Sequence, residues 1–238
     1  MHMNEQTLTT GKKRQRLPSS NTMYEALRRA IIERALRPGD KLPEDVIGDR
    51  FGVSRTIVRS VLGRLHGEGL IDLKPNRGAT VAQPTLEEAY DIFETRRSLE
   101  RDVVRRLVER ITPAEIKRLK DHVAREETAR TQDSPDSIRL AGEFHILLAE
   151  MAGNAVTARY VNELVSRCSL ILALYGRPHS SDCAVNEHLE IVAALQKGDS
   201  ERAFAVMDHH LEAVTERALL TSSNHQRDIR SILDDYVK

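Results

Sequence analysis

The sequence predicts a mainly α-helical chain in two parts. The first is an amino-terminal winged helix-turn-helix, made of three helices and a β-hairpin wing. The second is an all-α antiparallel bundle. Three observations predict this. A glycine turn at Gly52 leads into an amphipathic helix that opens on hydroxyl and guanidinium side chains. Two short alternating runs, Ile71–Leu73 and Ala79–Val81, flank a turn containing proline and glycine. From Thr85 onward the apolar residues recur at three and four positions, with almost no strand signal.

Each element has its own sequence signal. Residues 1–19 are polar and carry Lys12-Lys13-Arg14-Gln15-Arg16, which reads as a flexible arm. Tyr24, Leu27, Ile31 and Ile32 form one helical stripe, closed by Arg37-Pro38-Gly39-Asp40. A short second helix from about Glu44 to Phe51 turns Val46, Ile47 and Phe51 inward. Ser54 stands where an N-cap belongs, its hydroxyl placed to accept an orphan backbone N–H. Behind it Ile57, Val58, Val61, Leu62 and Leu65 define a buried face, while Arg55, Thr56 and Arg59 fall on the outward side. A helix anchored by its apolar face and offering Ser54, Arg55, Thr56 and Arg59 suits the DNA major groove. Gly67-Glu68-Gly69 ends that helix, and the hairpin tip brings Lys74, Asn76 and Arg77 to phosphate or minor-groove distance. This part spans residues 20–83.

Charge follows the same division. Residues 1–83 hold 15 Lys and Arg against 9 Asp and Glu, a net of +6, and the remainder holds 21 against 27, a net of −6. A basic module joined to an acidic one fits a nucleic-acid binder carrying a second function. The two cysteines, Cys168 and Cys183, provide no disulfide framework and no Cys-x-x-Cys pair. With no apolar run of spanning length and no cleavable signal pattern, a reducing cytoplasm is the expected compartment.

The second part spans residues 84–222, with 223–238 as a tail. Thr85 caps a helix to about Glu109, and Thr112-Pro113-Ala114-Glu115 is a capping box opening another to about Arg130. A loop at Thr131–Asp136 precedes a third helix ending near Gly153-Asn154, where Asn154 is expected as a helix-ending turn residue. A fourth covers about Val156 to Tyr175. Gly176–Asp182 is the longest break, and helices from about Ala184 to Gln196 and Ser200 to Leu220 close the bundle.

His145, His188 and His210 each lie on or beside the inward stripe of a different helix. Three neutral imidazoles converging there suit a divalent transition metal such as zinc or nickel. Individually each also fits a hydrogen-bonded core position. His209 points about 100° away from His210 around its helix. His66 and His122 read as surface residues.

These residues also carry a family resemblance. Arg37-Pro38-Gly39-Asp40-Lys41-Leu42, Val53–Arg59, Leu65–Leu70 and Arg77-Gly78-Ala79-Thr80-Val81 resemble the signature blocks of GntR-family bacterial transcription regulators. Ile57 stands where that family usually has proline, and Asp45 where helix 2 often has a DNA-contacting arginine. Glu94–Glu100, Glu143-Phe144-His145, Ala152-Gly153-Asn154, Glu187-His188 and Asp208–Leu211 resemble the landmarks of the FCD effector domain of the FadR subgroup. That resemblance implies an Asp and three His holding a divalent metal that helps bind a small carboxylate effector. The histidines carry over to His145, His188 and His210, but the aspartate's place is taken by Ala141, which removes one ligand and one negative charge. The resemblance also places Arg96 in an Arg-x-x-Leu-Glu block, where its guanidinium can grip an effector carboxylate. An i,i+4 ion pair with Glu100 is its other role.

The expected function is a ligand-responsive, homodimeric transcription regulator, a repressor released from operator DNA by a small organic acid. A DNA-binding dimer with a purely structural bundle is the alternative, and Ala141 favours it. A metal-dependent enzyme is a third reading. Against it stand the missing His-Glu-x-x-His motif and the lack of paired catalytic carboxylates.

Overall fold

The computed structural model describes residues 20–75, 77–132, 134, 136–175 and 182–219. The expected arm, Asn76, most of the 176–182 break and the tail lie outside the described residues.

Helix α1 (Ser20–Ile32) buries Met23, Tyr24, Leu27, Ile31 and Ile32. Helix α2 (Glu44–Phe51) stops at Gly52, whose φ of 65° suits a residue without a Cβ. Ile47 is buried, but Val46 is 60% exposed and Phe51 only partly covered. Adjacent helical residues point about 100° apart, so two turns bury one narrow stripe. Helix α3 (Arg55–Gly67) packs Val58, Val61, Leu62 and Leu65 into the same core. Ile57, expected there, is exposed: the first turn of α3 projects beyond the core, and position 57 sits at the edge of the stripe.

Strands β1 (Ile71–Lys74) and β2 (Gly78–Val81) pair antiparallel, Ile71 opposite Val81 and Lys74 opposite Gly78. Residues 39–42 add a short third edge unforeseen from sequence. Gly39 N–H donates to Val81 O, Leu42 N–H donates to Ala79 O, and Lys41 bridges Thr80. With Arg37-Pro38 ahead of them and Pro43 behind, these residues carry no strand pattern of their own.

Among the described residues six helices follow: α4 (Leu86–Arg110), α5 (Pro113–Thr131), α6 (Asp136–Met151), α7 (Ala155–Tyr175), α8 (Asp182–Lys197) and α9 (Ser200–Leu219). Thr85 and Thr112 both form complete capping boxes, with Glu88 and Glu115. Gly153, at φ 76°, ends α6. Asn154 begins the next helix instead of ending the last, its side-chain oxygen accepting from the N–H groups of Val156 and Thr157. Phe144, Leu107, Leu119 and Leu148 sit at the centre of the main bundle core. His122 is buried there rather than exposed. It shares a stripe with Leu119 and Glu126, and its Nε2 donates to Leu140 O at 2.8 Å. Its charged neighbours Asp121 and Arg125 give the segment a surface-like composition.

The two units meet along α1. Leu170 of α7 enters the core of the winged unit. Arg28 donates to Asn162 at 2.7 Å and Ser166 at 2.6 Å. Glu33 accepts from Arg139 of α6 at 2.9 Å, while Asp136 accepts from Arg29 at 3.0 Å. The carboxyl end of α1 is thereby moored to the start of α6.

Candidate metal centre and nucleic-acid interface

His145 projects from α6, His188 from α8 and His210 from α9, all buried. One ligating atom of each lies within 4.8 Å of the others. Each Nδ1 faces a carboxylate: His145 to Glu100 at 2.5 Å, His188 to Glu126 at 2.8 Å, His210 to Glu187 at 2.6 Å. These carboxylates accept a proton-bearing Nδ1 and turn the Nε2 lone pairs inward. Nε2 of His145 and of His210 are 3.1 Å apart, and Nε2 of His188 is buried with no hydrogen-bond partner. Lone pairs facing at that distance repel unless a cation lies between them. Two imidazoles at ~2.0–2.1 Å from one zinc ion stand about 3.0–3.4 Å apart. The donor set therefore fits a divalent transition metal.

Electrostatics reinforce the geometry. Burial pushes His145 down to about 4, against the pull of Glu100, and drives His210 well below the usual imidazole range. Both are neutral at ordinary pH, the form in which an imidazole can bind a metal. Burial works to raise Glu100, but Arg96 and His145 overcome it and hold its carboxyl at about 2. The ring of Phe144 stacks on His188 with centroids 4.0 Å apart and fixes its plane.

A cavity of about 120 Å³ adjoins the three imidazoles. Ala141 lines it, so the position one turn before His145 offers a methyl group where a fourth ligand would project. Arg96 is on the same wall. Its Nε donates to Glu100 at 2.5 Å, so the i,i+4 pair is formed, fully buried, and continues through Glu100 to His145. Of the supporting carboxylates, Glu187 stands in the Glu187-His188 landmark without a role of its own there, and Glu126 was not singled out from sequence. Glu187 directly precedes a ligand candidate and was open to notice, whereas Glu126 lies 62 positions from His188 and only the fold unites them.

On the winged unit Ser54, Arg55, Thr56 and Arg59 are exposed together at the amino-terminal end of α3, and Lys74 and Arg77 are exposed on the wing. Ser54 has N-cap backbone geometry, and its carbonyl accepts from the N–H groups of Ile57 and Val58. Its hydroxyl makes no cap hydrogen bond. Arg59 is held by Glu44 of α2 through a 2.8 Å ion pair. The sequence pattern gave no hint of that partner.

A winged helix-turn-helix with a basic, exposed third-helix start, coupled to a bundle with an internal polyhistidine cavity, defines a DNA-binding transcription regulator of the ligand-responsive kind. Residues 19–81 match the family described as bacterial regulatory proteins, gntR family, and residues 91–213 match the FCD domain. The chain belongs to the GntR family, in its FCD-containing branch. The HTH-type transcriptional repressor RspR of Escherichia coli is 27% identical over 84% of this chain and 88% of its own. The Uxu operon regulator of Haemophilus influenzae is 29% identical over 74% of this chain and 73% of its own. E. coli McbR/YncC shares the fold, with a TM-score of 0.74 and 19% identity, over 87% of this chain and 98% of that one. A putative GntR transcriptional regulator from Rhodococcus sp. RHA1 has the same TM-score at 24% identity, over 84% and 97%. Among the described residues no helix is long and apolar enough to cross a membrane.

Proposed function

We propose that the protein is a cytoplasmic, homodimeric repressor that leaves its operator when a small carboxylate joins a zinc or nickel ion in the bundle cavity. Residues 20–83 serve as the DNA-binding domain and residues 84–222 as the effector and dimerisation domain. The observation that carries the reading is the set of three inward Nε2 atoms, each backed by its own carboxylate and opening on a cavity. His145, His188 and His210 would hold the ion, which would supply a positive charge for a carboxylate oxygen. With Ala141 in the fourth place, ligand and water oxygens complete the coordination. Arg96 keeps Glu100 ionised, and its guanidinium lines the cavity, where it suits a carboxylate.

Ser54, Arg55, Thr56 and Arg59 read base edges and adjacent phosphates, while Lys74, Asn76 and Arg77 follow the backbone or minor groove. One α3 helix covers few base pairs, so two protomers reading half-sites about one helical turn apart supply the specificity.

The test is zinc and nickel content of purified protein, followed by thermal shift of the metal-loaded chain against simple carboxylates. Wild type is expected to bind about one ion per chain and to be stabilised further by an acid. His188→Ala is expected to lose both responses while keeping its helical circular dichroism. A chain that takes up neither metal nor acid would favour the purely structural bundle.

A further inference from the structure

Arg34 is the outlier among the described cations. It follows α1 in the winged unit, yet its side chain lines the bundle cavity beside Arg96, His145 and His188. Its backbone φ is 61°, and among the described residues no other non-glycine has a positive φ. For a residue with a Cβ, that left-handed conformation is strained. Its Nε is buried with no hydrogen-bond partner. Burial lowers its affinity for a proton, with no acidic group acting in the opposite direction.

The neighbouring carboxylates are engaged elsewhere. Glu33 accepts from Arg29 and Arg139. Glu100 holds Arg96 and His145, and Glu126 holds His188. A strained backbone therefore carries a half-buried guanidinium, with no ion pair among the described residues, into a cavity belonging to the other unit. A partly buried guanidinium whose Nε has lost water without gaining an acceptor is suited to an anion that completes it.

We propose that Arg34 is an effector-binding residue supplied by the DNA-binding unit, and that the effector is a small dicarboxylate spanning from the histidine centre to Arg34. This rests on the effector reading above and specifies it: one carboxylate lies at the metal centre, and the second pairs with the Arg34 guanidinium. Because Arg34 directly follows Glu33, which α6 already holds through Arg139, the ligand becomes a further tie between the end of α1 and the bundle. Occupancy then alters how the winged unit sits on the bundle. That gives the differential interaction without which a ligand shifts no equilibrium.

The experiment is calorimetric titration of the full zinc-loaded chain with malonate, succinate and glutarate, each compared with the monocarboxylate of equal carbon number. The proteins are wild type, Arg34→Gln and Arg34→Lys. In wild type the best diacid is expected to bind at least about 10-fold more tightly than its monoacid, on the scale of one charged hydrogen-bonded pair. Arg34→Gln should lose about 10- to 100-fold for that diacid and leave monoacid and zinc affinities unchanged, with Arg34→Lys recovering part of the loss. Equal diacid affinity in wild type and Arg34→Gln, with acids still binding, would overturn the role of Arg34 alone. A zinc-loaded wild-type chain that binds none of these acids would overturn the effector reading and this inference together.

Discussion

Replacing Glu126 by glutamine tests the histidine centre without touching a ligand. Glu126 Oε2 accepts from His188 Nδ1 at 2.8 Å, in surroundings that leave the carboxylate 2% exposed. Its other oxygen lies 3.2 Å from His122 Nε2, but that N–H is directed to the Leu140 carbonyl, so Oε1 makes no hydrogen bond. Glutamine matches the shape and can keep an oxygen toward His188; what disappears is the charge. A hydrogen bond to a charged group contributes about 1.5–3 kcal/mol and a neutral one about 0.5–1.5, so the exchange removes about 1–2 kcal/mol from the metal-bound state. That corresponds to a factor of about 5–30 in affinity. Losses on changing residues behind metal ligands run at about 10–100-fold. The ranges overlap at a 10–30-fold weaker Kd for zinc. The assay is competition for zinc between the full chain and a chromophoric chelator, with helical circular dichroism as the check on folding. A Glu126→Gln protein that is folded and binds zinc within twofold of wild type would refute the claim that the carboxylates orient the imidazoles.

Three further outcomes follow from particular contacts. Arg59→Ala should weaken operator binding by about 1–3 kcal/mol per half-site and relax sequence preference, since the exposed pair with Glu44 is worth at most about 1 kcal/mol to break. Binding measured across a mutated operator series checks this, and uniform weakening would assign Arg59 to phosphate instead. Gly153→Ala forces a Cβ residue to φ 76° and brings that Cβ to 2.0 Å from Arg110 Nη1. A cost of about 1–2 kcal/mol is expected, read as a Tm lower by about 2–8 °C. In chelator-treated protein, folded His145 takes a proton only near pH 4 and His210 also well below its usual range, whereas the unfolded chain protonates its histidines near pH 6.5. The unfolded state therefore binds more protons between about pH 6.5 and 4, and stability must fall as pH falls through that window. Urea midpoints that rose on acidification there would contradict the burial argument.

Much of this was legible because it is local. Capping boxes at Thr85 and Thr112, the Gly52 turn and the β1–β2 hairpin are written in adjacent residues. Periodicity put His145, His188 and His210 on inward faces, but their convergence is a tertiary fact. What escaped was non-local or at a stripe's edge. The 39–42 edge exists because β2 offers it partners, and His122 is buried despite charged neighbours. Val46 and Ile57 show the reverse: apolar residues left outside because short helices bury narrow stripes. Arg34 had no sequence signal at all, since only the docking of α1 on α6 brings it to the cavity.

The groove-facing role of α3 is tested most sharply by selection of duplexes by the full, effector-free chain from a random oligonucleotide pool. Enrichment of a two-fold symmetric site is expected, its half-sites about one helical turn apart, with weaker enrichment and relaxed sequence preference in Arg59→Ala. A recovered pool with no shared sequence would contradict the reading of α3 as the groove-facing helix.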